Sequence, residues 1–338
     1  MKRYLFISIA LLLISSMMLA DEGRKGQAGF QFLRIPMGSK QIAMGNSGIG
    51  SVSGASAMYW NPAGVATQKS FEFQFSNVSW FGDMSYSHFT TVAGIGELGS
   101  IGLGVQYLAY PDIIETTEQA PDGTGATFKP YNLGLVLNYS RQLTEKVSFG
   151  LNMKYISETI ALVSAEALAF DVGFIYSMGY QGLQLGFAIT NYGTKGQFTG
   201  SGLRRFILRD DGPPNQTPVP VLFESDRIEL PSTIQAGLSF KPINTENISM
   251  VINADHTVNT FSANRTNLGT ELGYKNNFFL RGGYIVNTDY NETNKGNFNF
   301  GLGIQYELME NFLVVFDYAY ADLGLLDNAQ YITISIQF

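Results

Sequence analysis

Tyr331-Ile332-Thr333-Ile334-Ser335-Ile336-Gln337-Phe338 is the stretch on which the fold turns. Ile332, Ile334, Ile336 and Phe338 alternate with Tyr331, Thr333, Ser335 and Gln337, the period of a strand with one apolar and one polar face. A soluble protein has to bury such an apolar face in a core. Here the sequence runs out on the aromatic residue, with no polar tail to shield it. An edge strand of a soluble sandwich shows the same local pattern, so the rest of the chain has to decide.

Stretches of the same kind recur. From Ser70 onward, fourteen alternating segments begin near Phe71, Met84, Ile101, Tyr131, Val147, Leu168, Leu183, Ile234, Ile248, Leu268, Phe278, Phe298, Phe312 and Tyr331. The clearest sets Phe298, Phe300, Leu302, Ile304, Tyr306 and Leu308 against Asn299, Gly301, Gly303, Gln305 and Glu307. The connections sort by length. Those after even-numbered segments are short, as at Gln142–Glu145, Lys275–Asn277 and Met309–Asn311; several after odd-numbered ones are long, as at Pro111–Lys129, Gly193–Leu230 and Asn287–Lys295. A sandwich has no reason to sort its loops in this way. A transmembrane antiparallel β-barrel has one, with short turns in the periplasm and long loops outside, and an even strand count closes it. The fold expected is therefore all-β, a 14-stranded barrel over residues 70–338. Tyrosines near segment ends, among them Tyr107, Tyr139, Tyr155, Tyr176 and Tyr306, suit the interfacial girdles. The closing strand with its terminal Phe338 resembles the signal read by the barrel-assembly machinery, which makes that machinery and outer-membrane lipid expected partners.

Composition agrees. Only 14% of residues are charged, against about 25% in ordinary soluble domains. The chain has 37 Gly, 25 Phe and 18 Tyr, and no run approaches the ~18 apolar residues of a membrane helix. A net charge of −7 argues against nucleic acid as a partner. Residues 1–20 carry Lys2 and Arg3, then an apolar run too short to span, as in a secretory signal peptide. Met18 is unusual so close to a cleavage site. These features place the mature chain in the outer membrane of a diderm bacterium, with both termini expected in the periplasm. There is no Cys, so disulfides and thiolate metal sites are excluded.

Residues 21–69 do not alternate and are expected to form a periplasmic segment and a plug in the lumen. Their Gly- and Ser-rich stretch closes on Tyr59-Trp60-Asn61-Pro62-Ala63-Gly64, where Asn-Pro starts a turn. The inward faces of the strands are rich in Gly, which lets another backbone come close. From Phe32 through Gly64 the sequence resembles the N-terminal hatch of the PorV/PorQ group, within the superfamily of FadL-like barrels. That resemblance implies a non-enzymatic role in type IX secretion, binding or carrying the signal domains of cargo or helping to attach it at the surface. The wider superfamily implies an alternative, a passive channel for long-chain fatty acids or other hydrophobic compounds. Ser53-Gly54 stands where many relatives are acidic, a departure from the pattern.

Five charges lie on the polar parity of their strands: Lys154, Asp171, Glu271, Arg281 and Asp317. They are expected in the lumen, because a charge turned to lipid near the midplane costs roughly 2–4 kcal/mol for Lys or Arg. Glu271 and Arg281 are each five residues from Asn276, so antiparallel pairing about that turn sets them face to face. Asp317 falls opposite Gly303, whose missing side chain leaves room for a reach to plug amides near Asn61 or Arg34; lumenal water is the plainer partner.

Catalytic chemistry finds no support. Gly94-Ile95-Gly96-Glu97-Leu98-Gly99 spells a dinucleotide fingerprint but joins two strands with no helix to follow. His88 and His256 lack convergent partners, since Asp255 points to the opposite face from His256. Thr288-Asp289-Tyr290-Asn291-Glu292 offers oxygens to Ca²⁺ without the spacing of a calcium loop. No cofactor, metal or catalytic residue is expected. The Gly193–Leu230 loop combines Arg204, Arg205 and Arg209 with Phe206, Leu208, Leu222 and Phe223. Apolar and long, it reads either as a lid packed on itself or as an external docking surface.

Overall fold

The computed structural model describes residues 27–208, 217–287 and 297–338. Its fourteen main strands form one closed antiparallel barrel. In chain order they are β1 (Glu72–Ser79), β2 (Ser85–Gly94), β3 (Ser100–Ala109), β4 (Tyr131–Thr144), β5 (Val147–Ile160), β6 (Val163–Ser177) and β7 (Gln184–Gly193). Then come β8 (Thr233–Asn244), β9 (Ile248–Asn259), β10 (Arg265–Tyr274), β11 (Phe278–Asn287), β12 (Asn297–Met309), β13 (Phe312–Asp322) and β14 (Asn328–Gln337). Each pairs with its sequence neighbours, and β1 closes on β14 from Glu72↔Gln337 to Ser79↔Gln330. Every segment expected from alternation is a barrel strand.

Alternation has the physical consequence that the sequence implies. On β12, Phe300, Leu302 and Ile304 are about half exposed on the outer wall, while Asn299 just before them is 3% exposed. Phe75, Leu103, Leu137, Phe170, Leu268 and Ile334 continue the apolar outer surface around the barrel. A wall of this kind is stable against lipid and nowhere else. Phe338 fixes the closing seam: Phe71 and Phe338 exchange two backbone hydrogen bonds of 2.9 Å, and their rings meet at a tilt with centroids 5.0 Å apart.

Connections after even-numbered strands run from two to six residues, whereas those after β3 and β7 span 110–130 and 194–232. The barrel thus has a short-turn end, where Phe338 lies, and a long-loop end. The loop of 288–296, including Thr288–Glu292, lies outside the described residues, as do residues 1–26 and Arg209.

Ahead of β1, residues 28–69 form α1 (Ser39–Ala43), α2 (Ala57–Trp60) and 3-10 turns at Gln31–Arg34 and Pro62–Thr67. This segment bonds to inward side chains of β5, β9, β12 and β14, through Asn152, Asp255, Asn299 and Thr333. These strands face one another across a closed barrel, so the segment occupies the lumen. Its glycine contacts show how tightly. A Cβ on Gly283 would strike the main chain of Met44 and Gly45, and one on Gly150 that of Pro62 and Ala63. Toward the long-loop end the inner wall turns apolar, with Val78, Tyr86, Leu108, Ile156 and Tyr331 buried around Phe30, Phe32, Leu33 and Ile35.

The segment starts at an unexpected end. Ala28 bridges Glu229, just before β8, Gly29 N donates to Glu229 O at 3.1 Å, and Phe30 N donates to Glu158 near the end of β5. The first described residues therefore sit at the long-loop end, opposite Phe338, while the N-terminus itself, expected in the periplasm, lies outside the described residues. Alternation reports strand direction, and this segment has none.

Candidate functional site

The Tyr59–Gly64 run is a set of ties. Tyr59 Oη donates to the carbonyls of Leu33 and Ile35, and Trp60 Nε1 donates to Met37 O at 2.8 Å. Both hold the outer part of the plug against α2. Burial pushes the Tyr59 phenol well up from its ordinary value, which keeps it a hydrogen-bond donor. Asn61 is fully buried. Its Nδ2 donates to Ile49 O and to Phe174 O in the wall, while its Oδ1 accepts from Ala63 N and caps the following turn. Pro62 opens that turn and accepts from Ser140 Oγ at 2.7 Å. Ala63 and Gly64 are buried where Gly150 and Val52 come closest. The motif joins the plug to itself and to β4–β6.

The five expected lumenal charges are all buried and fall into two clusters. Glu271 and Arg281 are paired in register, and Arg281 Nε donates to Glu271 Oε2 at 2.6 Å. Arg281 Nη1 donates to Asp317 Oδ1 at 2.6 Å, and Lys40 of the plug reaches Glu271 Oε2 at 3.2 Å. The space that Gly303 opens is filled by both Arg281 and Asp317. Asp317 thus spends its charge on Arg281 rather than on plug amides near Asn61 or Arg34, because a guanidinium two strands away is the stronger partner. In the second cluster Lys154 Nζ lies 2.7 Å from Asp171 Oδ2 and 2.8 Å from Asn191 Oδ1. Asn152 Nδ2 and Asn191 N complete the shell of Asp171.

The carboxylate that does hold plug amides is Asp255, whose Oδ2 accepts from Gly48 N at 2.6 Å and Ile49 N at 2.9 Å. Its inward parity on β9 was legible. Its partners were not, because nothing local marks which lumenal acid meets which loop.

Two further features concern passage. The β7–β8 ladder stops at Thr190↔Thr233 and resumes at Gly196↔Ile228. Across the gap Asn191 Nδ2–Pro231 O, Ser232 Oγ–Asn191 O and the Lys195–Glu229 ion pair connect the sides. On the other side of β7 a bulge sets Thr190 and Asn191 against Asp171, with Asn191 at φ 56°. The main chain of Ala28–Gly29 pairs with Glu229 at the edge of this seam. Near it a polar cavity of about 50 Å³ is lined by Arg34, Tyr59, Lys154, Asn191, Arg265 and Asn267. That is room for about three or four waters.

Outside the barrel, Arg204–Ile207 pairs with Val219–Leu222 as a hairpin. Arg204, Phe206 and Leu222 share one of its faces by register, and Phe206 and Leu222 are about 70% exposed, with Leu208 and Phe223 also exposed beside them. Arg205 turns back onto the carbonyls of Gly202 and Arg204. Elsewhere in the same loop Gln197 and Phe198 bond to Glu224 and Ser225. Among the described residues no cluster of His, Cys, Asp and Glu is placed to hold a metal.

No family model matches the chain, and no curated protein does. Solved structures match its fold. The CymD monoaromatic hydrocarbon channel is 14% identical with a TM-score of 0.57, over 90% of this chain and 97% of that one. The P. putida toluene transporter TodX is 13% identical with a TM-score of 0.55, over 89% and 96%. A Pseudomonas aeruginosa FadL homologue is 12% identical with a TM-score of 0.51, over 90% and 98%. At such identities the likeness is one of fold.

Proposed function

We propose that this chain is a plugged outer-membrane barrel that takes up hydrophobic small molecules from the outer surface. In this reading residues 1–20 are the signal peptide, 21–69 the N-terminal segment and plug, and 70–338 the barrel. One observation carries the reading, the apolar compartment at the long-loop end. A channel for polar solutes lines its lumen with polar groups, whereas here Val78, Tyr86, Leu108, Ile156 and Tyr331 face inward. Phe30, Phe32 and Leu33 fill that space as a hydrophobic solute would. Displacing them exposes an apolar site, and the interrupted β7–β8 ladder offers the wall's weakest exit. The fold-level neighbours titled as hydrocarbon channels and toluene transporters support the same direction.

A second reading has its own observation. The Arg204–Leu222 hairpin exposes apolar side chains beside a cation, as a protein-docking arm would, which suits the PorV/PorQ role in type IX secretion and its cargo signal domains. Gene deletion separates the two. The first reading expects slower uptake of a radiolabelled aromatic or fatty acid with secretion unchanged; retained or misplaced type IX cargo with normal uptake would replace it by the second.

A further inference from the structure

The polar cavity between plug and wall has a charge balance that neither reading uses. Arg34 of the plug, Lys154 of β5 and Arg265 of β10 line it, and no Asp or Glu among the described residues does. Lys154 is spoken for by Asp171 at 2.7 Å. Arg34 gives one N–H to the neutral Gln31 Oε1 at 3.0 Å. Arg265 Nε is buried with no hydrogen-bond partner. Arg34 is exposed and Arg265 partly buried, so two guanidinium groups line one open polar space with no acidic side chain in its lining, and leaving the buried Arg265 N–H unpaired is unfavourable. Guanidinium N–H groups in a fixed fork match the oxygens of a carboxylate or phosphate, and the volume admits either.

We propose that this cavity binds a small oxyanion, carboxylate or phosphate, that bridges Arg34 of the plug to Arg265 of the wall. Bound there, the anion cancels the repulsion between the two cations and latches the outer part of the plug. The proposal stands apart from what the barrel carries: anion binding and solute uptake are read by different assays.

The test uses the full mature chain refolded in neutral detergent, titrated calorimetrically with sodium acetate and sodium phosphate at constant ionic strength. Binding is expected in the wild type and is expected to weaken about ten- to hundredfold in Arg34→Gln or Arg265→Gln, as for loss of a charge-assisted bond pair. It should vanish in the double variant. Arg265→Lys, which keeps the charge, should retain part of it, and heat-modifiable migration checks that each variant is folded. Octanoate and octyl phosphate form the second arm. Tighter binding with the alkyl chain identifies the anion as an amphiphile's head, equal binding as a free ion, and either result supports the site. No binding to folded wild type, or undiminished binding to the folded double variant, overturns it.

Discussion

Arg281→Met offers the sharpest energetic test of the lumen. The Arg281 guanidinium stands between Glu271 and Asp317, 2.6 Å from an oxygen of each, and its side chain is 2% exposed. Removing it leaves two buried carboxylates, of which only Glu271 keeps a cation, Lys40 at 3.2 Å. Breaking a buried ion pair from one side costs about 3–5 kcal/mol, because the remaining charge is stranded. That is roughly two to four decades in the folding equilibrium. The cost belongs to the stranded charges and not to lost packing. Glu271→Gln and Asp317→Asn added to Arg281→Met should therefore recover most of it, since neutral side chains of that size need far less solvation. The assay is reversible urea unfolding in micelles, followed by tryptophan fluorescence. The chain has two Trp, so Trp80→Phe leaves Trp60 as a reporter inside the plug. A loss below about 1 kcal/mol in the single variant, or no recovery in the triple one, would refute the argument.

Other consequences follow from the same contacts. Gly283→Leu places a side chain where Met44 and Gly45 run, so the barrel should still assemble while protease cuts the displaced plug. Asp255→Ala strips the acceptor from Gly48 N and Ile49 N; two buried amides at about 1–3 kcal/mol each should appear as faster hydrogen exchange at those two residues. Leu302→Arg on the lipid face should cost about 2–4 kcal/mol in bilayer refolding, whereas Asn299→Ser inside the same strand should change far less. Deleting Phe338 removes its backbone pair and ring contact with Phe71, and should lower the yield of heat-modifiable barrel.

Periodicity made the barrel legible, and the reason is physical. Lipid on one side and a close-packed lumen on the other force every strand to alternate, so Phe300 and Asn299 declare their faces without any knowledge of neighbours. Turn symmetry went further: equal spacing about Asn276 is enough to place Glu271 opposite Arg281. Past one hairpin the method fails. That Asp317 joins Arg281, or that Asp255 holds Gly48 and Ile49, depends on how strands stagger around the barrel and on how an irregular segment folds inside it. The gap in the β7–β8 ladder was equally hidden, since Pro231 and a left-handed Asn191 look like ordinary loop signals. The paired Lys154 and Asp171 lie in neighbouring strands, but their tie to the bulge at Asn191 has no sequence period to reveal it.

In the uptake role proposed above, Phe30–Ile35 hold the place of a hydrophobic solute and must move for passage. Phe32 and Tyr86 pack edge to face with ring centroids 6.3 Å apart, one on the plug and the other on the wall. The chain has no Cys, so in Phe32→Cys with Tyr86→Cys a short bis-thiosulfonate reagent bridges the two introduced thiols across the space that the rings filled, and reduction releases the bridge. Uptake of radiolabelled toluene by cells carrying this variant is then measured with the cross-link in place and again after reduction. Uptake well above that of a deletion strain is expected after reduction, and uptake at the deletion level with the cross-link in place. Equal, above-background uptake in both states would contradict that role.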